Sequence, residues 1–158
     1  MTSVPLWRRL LSLVYESVLL LALLMVGSGL FYPLAVRLPP DVARHLQALF
    51  LLLLMAVYFG WCWLRAGQTL PMKTWRIRLV AADGGGVGVR AAMIRFLAGL
   101  LIYLPLFATS VWAYFSPSAH PFLLVSVFVT LIAWCWPLWD GDRRMLHDRL
   151  AGTRLILV

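Results

Sequence analysis

Four long apolar runs constrain this chain more than any other feature, because each comes close to the roughly 20 residues with which an α-helix, rising about 1.5 Å per residue, crosses a hydrocarbon core. They cover about Leu10–Pro33, Leu46–Leu64, Ala91–Trp112 and Phe122–Trp139. Glu16 is the only charge in the first run, and Arg95 stands near the start of the third. A soluble domain is nearer half apolar and a quarter charged; here 63% of residues are hydrophobic and 13% charged. Water cannot cover that surface, and lipid can. The predicted fold class is an all-α membrane protein: one domain over residues 1–158, a bundle of four transmembrane helices, and a small cytoplasmic two-stranded β element. Two arginines followed by an apolar run also resemble a signal peptide. The length of the run, Glu16 within it and three further hydrophobic segments favour a retained helix.

The formal net charge is +8 and the pI about 10.5. In a soluble protein this would point to nucleic acid, but the bases flank the apolar runs, so no nucleic-acid partner is expected and their placement reads as a topology signal. Arg8 and Arg9 precede the first run; Arg65, Lys73, Arg76, Arg78 and Arg90 lie in the loop 65–90; Arg143, Arg144, Arg149 and Arg154 lie in the tail 140–158. Only Arg37 and Arg44 fall in the first loop, and none in Phe115 to Pro121. The positive-inside rule therefore puts both termini and the loop 65–90 in the cytoplasm.

Two short pieces of these inner segments alternate or are β-rich: Thr74 to Val80, with bulky Trp75, Ile77 and Leu79 between Arg76 and Arg78, and Thr153 to Val158. Both are predicted as strands that pair with each other, the first ending in the turn Asp83-Gly84-Gly85-Gly86. Lys73, Arg76 and Arg78 would then meet anionic lipid headgroups at the bilayer surface.

An ionisable side chain inside a membrane helix asks for a partner or a job. Glu16 lies seven residues after Arg9, close to two helical turns, so both share a face that Ser12 extends. Arg95 enters the third run from the same side and is the expected ion-pair partner of Glu16. Two readings stay open: Glu16 and Arg95 form a structural lock on helix register, or Glu16 lines a polar cavity as a cation site or proton carrier. The tail Asp140-Gly141-Asp142-Arg143-Arg144-Met145-Leu146-His147-Asp148-Arg149 is the densest polar segment. Its carboxylates are expected to pair with Arg9, Arg95 or the basic strand; Asp142, His147 and Asp148 join Arg9, Glu16 and Arg95 as candidates for transport or ion pairing. Neither metal nor cofactor is expected, since no ligand spacing matches a zinc or hydrolase pattern. Cys62 and Cys135 read as packing residues, and His45 and His120 as solvated loop residues. Gly84 to Gly88 lacks the Gly-Lys-Ser/Thr of a phosphate loop, and no nucleophile and base stand at a local spacing, so no enzyme is predicted.

Three segments together resemble the RDD family of membrane proteins. The first is Arg9-Leu10-Leu11-Ser12-Leu13-Val14-Tyr15-Glu16, where the family has an arginine followed seven residues later by an aspartate; here the acid is glutamate. The second is Gly67-Gln68-Thr69-Leu70-Pro71-Met72-Lys73-Thr74-Trp75-Arg76-Ile77-Arg78-Leu79-Val80, with Pro71 where many relatives have a small residue, followed by Arg95-Phe96-Leu97. The third and most specific is Leu146-His147-Asp148-Arg149-Leu150-Ala151-Gly152-Thr153. The resemblance implies a multi-pass protein of the bacterial cytoplasmic (inner) membrane. It maps Arg9 and Asp148 onto the family's arginine and C-terminal aspartate, and implies transport of an unidentified ion or solute, some members having been proposed as cation/proton antiporters.

The expected function is a transporter or transport-associated protein exchanging cations or protons through an intramembrane Arg/Glu cluster. Four helices give one copy little room for alternating access, so a homo-oligomer is expected. The rival is a non-catalytic scaffold or assembly factor that binds anionic lipid or a partner protein.

Overall fold

The computed structural model describes residues 4–139 and 144–158. It is dominated by four helices long and apolar enough to cross a membrane, as predicted, with one small two-stranded antiparallel sheet. The residues divide into two compact units, Val4–Arg78 with Leu157–Val158, and Leu79–Ile156. Apart from one 3-10 turn, the elements run twice along the chain through the same order: two long helices, a five-residue helix, two linking residues, a five-residue strand.

In the first unit α1 covers Leu6–Ala35 and α2 Pro40–Arg65. At 30 residues, α1 is about 45 Å long, enough to cross the core with a margin. Pro39-Pro40 starts α2 earlier than the apolar pattern alone indicates, because Pro at a first helical position brings its fixed φ and lacks only an N–H that would be unpaired there. Arg44 and His45, expected in a solvated loop, consequently sit on the first turns of α2, where His45 Nδ1 lies 2.7 Å from the Asp41 carbonyl oxygen. Likewise His120, also expected in a loop, is the first residue of its helix. The α1–α2 hairpin packs through Gly27, where an added Cβ would come within 2.7 Å of Leu54 Cδ2, and through Phe31 stacked on Phe50.

After α2, Gly67 at φ 66° supplies the left-handed residue that ends many helices. Thr69 then caps α3 (Leu70–Thr74) by accepting from the Met72 N–H. Strand β1 is Ile77–Ala81, so the strand expected from Thr74 begins three residues later. The cap at Thr69 winds Leu70–Thr74 into helix, and Arg76, at φ 55°, turns the chain before extension starts. The predicted alternation holds from Ile77 to Leu79, with Ile77 and Leu79 buried and Arg78 exposed, and Val80 is buried as well. The predicted turn follows, with Gly85 N–H donating to Asp83 Oδ1 and Gly84 at φ 94°.

In the second unit α4 spans Val89–Phe115, a 3-10 turn covers Pro117–Ala119, and α5 spans His120–Trp139. Hydroxyls bind this hairpin within lipid: Thr109 Oγ1 and Ser126 Oγ lie 2.7 Å apart, and Thr130 Oγ1 donates to the Ile102 carbonyl at 3.4 Å. Deeper along the pair, Trp134 Nε1 donates to Tyr103 Oη. The tail folds into α6 (Leu146–Leu150) and β2 (Thr153–Leu157). β2 pairs with β1, Ala82 N–H donating to the Gly152 carbonyl and Val158 N–H to that of Arg76. Gly152, at φ 63°, makes before β2 the left-handed turn that Arg76 makes before β1.

Burial is inverted relative to a soluble protein. The most deeply buried large side chains are Ile77, Leu79, Thr69, Thr153, Asp148 and Pro71, all in the short helices and strands or beside them. Leu30, Val57 and Leu101 on the long helices are more than two-thirds exposed, which is the surface that lipid covers.

Candidate functional site

Among the described residues, each unit holds one buried carboxylate. In the first unit, Arg9, Ser12 and Glu16 on α1 are all buried, so the shared face inferred from their spacing is real. Arg9 does not extend its whole head to the surface: its Nε–H donates to the Val4 carbonyl at 3.1 Å, holding the entry of the chain into α1. Glu16 is bracketed by two hydroxyls. Tyr58 Oη on α2 donates to Oε1 at 2.7 Å, and Thr69 Oγ1 donates to Oε2 at 2.5 Å. Among the described residues no Lys, Arg or His forms an ion pair with Glu16.

Neither Tyr58 nor Thr69 was identified from the sequence as a site residue. Tyr58 passed as one more aromatic in an apolar run, although its hydroxyl deep in a span is itself a sign that an acceptor is near. Thr69 serves twice, accepting from the Met72 N–H as the cap of α3 while donating to Glu16. Its neighbour Gln68 donates from Nε2 to the Ile77 carbonyl at 2.7 Å, tying the start of β1 to the end of α2.

In the second unit, Arg95 of α4 pairs through Nη1 with Oδ1 of Asp148 on α6. Thr153 Oγ1 accepts from Arg95 Nη1 at 3.4 Å, and Asp148 and Thr153 are almost completely inaccessible. His147 is buried beside them, its Nε2 3.9 Å from Asp148 Oδ1. The sequence paired Arg95 with Glu16. The structure instead gives Arg95 the carboxylate of Asp148, one of the pairings expected for the tail carboxylates, and gives Glu16 two hydroxyls, because the tail folds back as α6 onto α4. Asp142 lies outside the described residues.

Lys73, Arg76 and Arg78 are all exposed, on α3, in the turn and on the outer face of β1. Close by, Trp7 packs edge-on against Trp75, with ring centroids 6.1 Å apart, and the Arg8 guanidinium lies over Trp7. Cys62 and Cys135 are free and half-buried.

The family model of the RDD proteins matches residues 3–152, nearly the whole chain. The chain belongs to the RDD family. No curated protein and no solved structure matches it.

The segments that carry the RDD resemblance acquire physical roles in this chain. Gly67 makes a left-handed turn, Gln68 anchors a strand and Thr69 holds the first-helix acid. Pro71 is the second residue of α3, a position whose N–H has no intrahelical acceptor. Asp148, Gly152 and Thr153 of the last segment serve the Arg95 pair and the turn into β2.

Proposed function

We propose that this RDD protein is a transporter, or a component of one, in which the Glu16 carboxylate carries a cation or a proton. The observation behind this reading is that Glu16 is buried in a membrane-spanning helix, ion-paired with no described residue and flanked by two hydroxyl oxygens. A carboxylate charge in that setting calls for compensating positive charge, which a proton or a bound cation supplies. Glu16, Tyr58 and Thr69 offer the hard oxygen donors that alkali and alkaline-earth cations prefer. Thr69 and Tyr58 can also turn their hydroxyls to accept rather than donate, so the site tolerates loading and unloading.

The reading includes no enzymatic activity. It places the protein in a bacterial cytoplasmic membrane with both termini inside, after the distribution of its basic residues, and takes the working form to be a homo-oligomer. The exposed Lys73, Arg76 and Arg78 favour the second reading, a scaffold held by anionic lipid or an acidic partner.

Cation-dependent proton flux into proteoliposomes separates the two. With sodium, potassium and lithium tested in turn, flux for the wild type and none for an intact Glu16→Gln variant is the expected result. Equal flux from both proteins, or no flux with any cation, would remove Glu16 as a transport site; an effect of reversing Arg76 and Arg78 on membrane assembly would then support the scaffold.

A further inference from the structure

A groove on α2 is unrelated to either carboxylate. It is a shallow, open notch lined by Val57, Gly60, Trp61, Leu64 and Arg65, with Val57 and Trp61 about two-thirds exposed. The spacing i, i+3, i+4, i+7, i+8 marks one helix face, so the groove runs about 12 Å along α2. It opens because Gly60 has no side chain: a Cβ placed there would meet nothing within 4 Å. Four of the five lining residues are apolar. The fifth, Arg65, is the last residue of α2 and lies over the Trp61 ring, its guanidinium carbon 5.1 Å from the ring centroid.

We propose that this groove seats one anionic phospholipid, its acyl chain in the notch over Gly60 and its phosphate on Arg65. Three features point to that occupant. The charge is confined to the end of the span, at headgroup level, while the rest of the groove descends into the hydrocarbon region. Trp61 stands one turn inside Arg65, the depth at which indole rings mark a membrane interface, and stacking holds the guanidinium in place so that its remaining N–H groups face outward to a bidentate phosphate. Free inorganic phosphate would leave the apolar floor uncovered, whereas a phospholipid covers both parts. A guanidinium at this level distinguishes an anionic headgroup from a zwitterionic one by about fivefold.

The test uses the full chain in nanodiscs of equal phosphatidylglycerol and phosphatidylcholine, gently extracted and weighed by native mass spectrometry with its retained lipid. The wild type is expected to keep phosphatidylglycerol about fivefold over phosphatidylcholine. Arg65→Gln should abolish that preference, Arg65→Lys should retain most of it, and Arg37→Gln, at the other end of the hairpin, should leave it unchanged. Gly60→Leu should lower retention of both lipids, with Gly60→Ala as the milder filling should the larger one fail to fold. An unchanged preference in Arg65→Gln, or unchanged retention in both Gly60 variants, would overturn the proposal. So would a wild-type dimer that Gly60→Leu converts to monomer without altering bound lipid, since a second copy would then be what covers the groove.

Discussion

The two buried carboxylates among the described residues invite comparison because, one 3-10 turn aside, they sit in successive stretches of the chain with the same element order and are met differently. Asp148 meets a guanidinium, and a threonine just after a left-handed glycine completes the arrangement. Glu16 meets two hydroxyls, one of them also from a threonine two residues after a left-handed glycine. The Arg95 guanidinium supplies a permanent countercharge that suits the Asp148 centre to a lock, with Asp148 Oδ2 left without a hydrogen-bond partner among the described residues. Hydroxyls supply dipoles without charge, and on the proposed function a proton or a cation completes the Glu16 centre. An acid needed for packing alone would gain most from the arginine.

The largest expected effect follows from the lock. Asp148→Ala removes the carboxylate partner of the buried Arg95 guanidinium and should cost about 3–5 kcal/mol of stability. Pairing it with Arg95→Met should recover much of that, read by thermal unfolding in bicelles; a double variant no better than the single one would show that Asp148 acts otherwise than through Arg95. Thr69→Ala removes both a helix cap and a hydrogen bond to the acid, an expected loss of about 2–3 kcal/mol. Should it cost nothing, the hydroxyl cradle of Glu16 would not be holding α3 against α1. Arg76→Gly gives β1 the kind of turn that Gly152 gives β2, and relief of the left-handed arginine should stabilise the protein by about 1 kcal/mol. The smallest change is expected from Glu16→Gln, which keeps the size and an acceptor oxygen for one hydroxyl and should shift stability by less than about 1 kcal/mol. A loss there comparable to that of Asp148→Ala would erase the distinction and make both centres locks.

Much of this was readable in advance for physical reasons that differ from place to place. The four spans, the strand pair and the Asp83–Gly86 turn depend on local patterns, namely run length, alternation and turn chemistry. The common face of Arg9, Ser12 and Glu16 follows from helical periodicity. The helical start at Pro40 was missed because a polar first turn carries no apolar signal, although Pro39-Pro40 announced it. The delayed start of β1 was missed because Trp75 and Arg76 fit the alternation while their backbone makes a turn.

By itself, then, the sequence determined that this chain lives in lipid, that four apolar helices cross it, and which few ionisable groups must be accommodated there. Those follow from solvation, which acts on each segment independently. A tail carboxylate on Arg95 was among the expected pairings, but which carboxylate takes it, and which partners Glu16 takes, was decided only by tertiary structure. Tyr58 and Thr69 reach Glu16 across 42 and 53 residues, and Asp148 reaches Arg95 across a similar distance. Such pairings depend on the crossing of helices and the folding back of short segments, and a hydrogen bond requires its atoms within about 3 Å, a precision that no one-dimensional pattern carries.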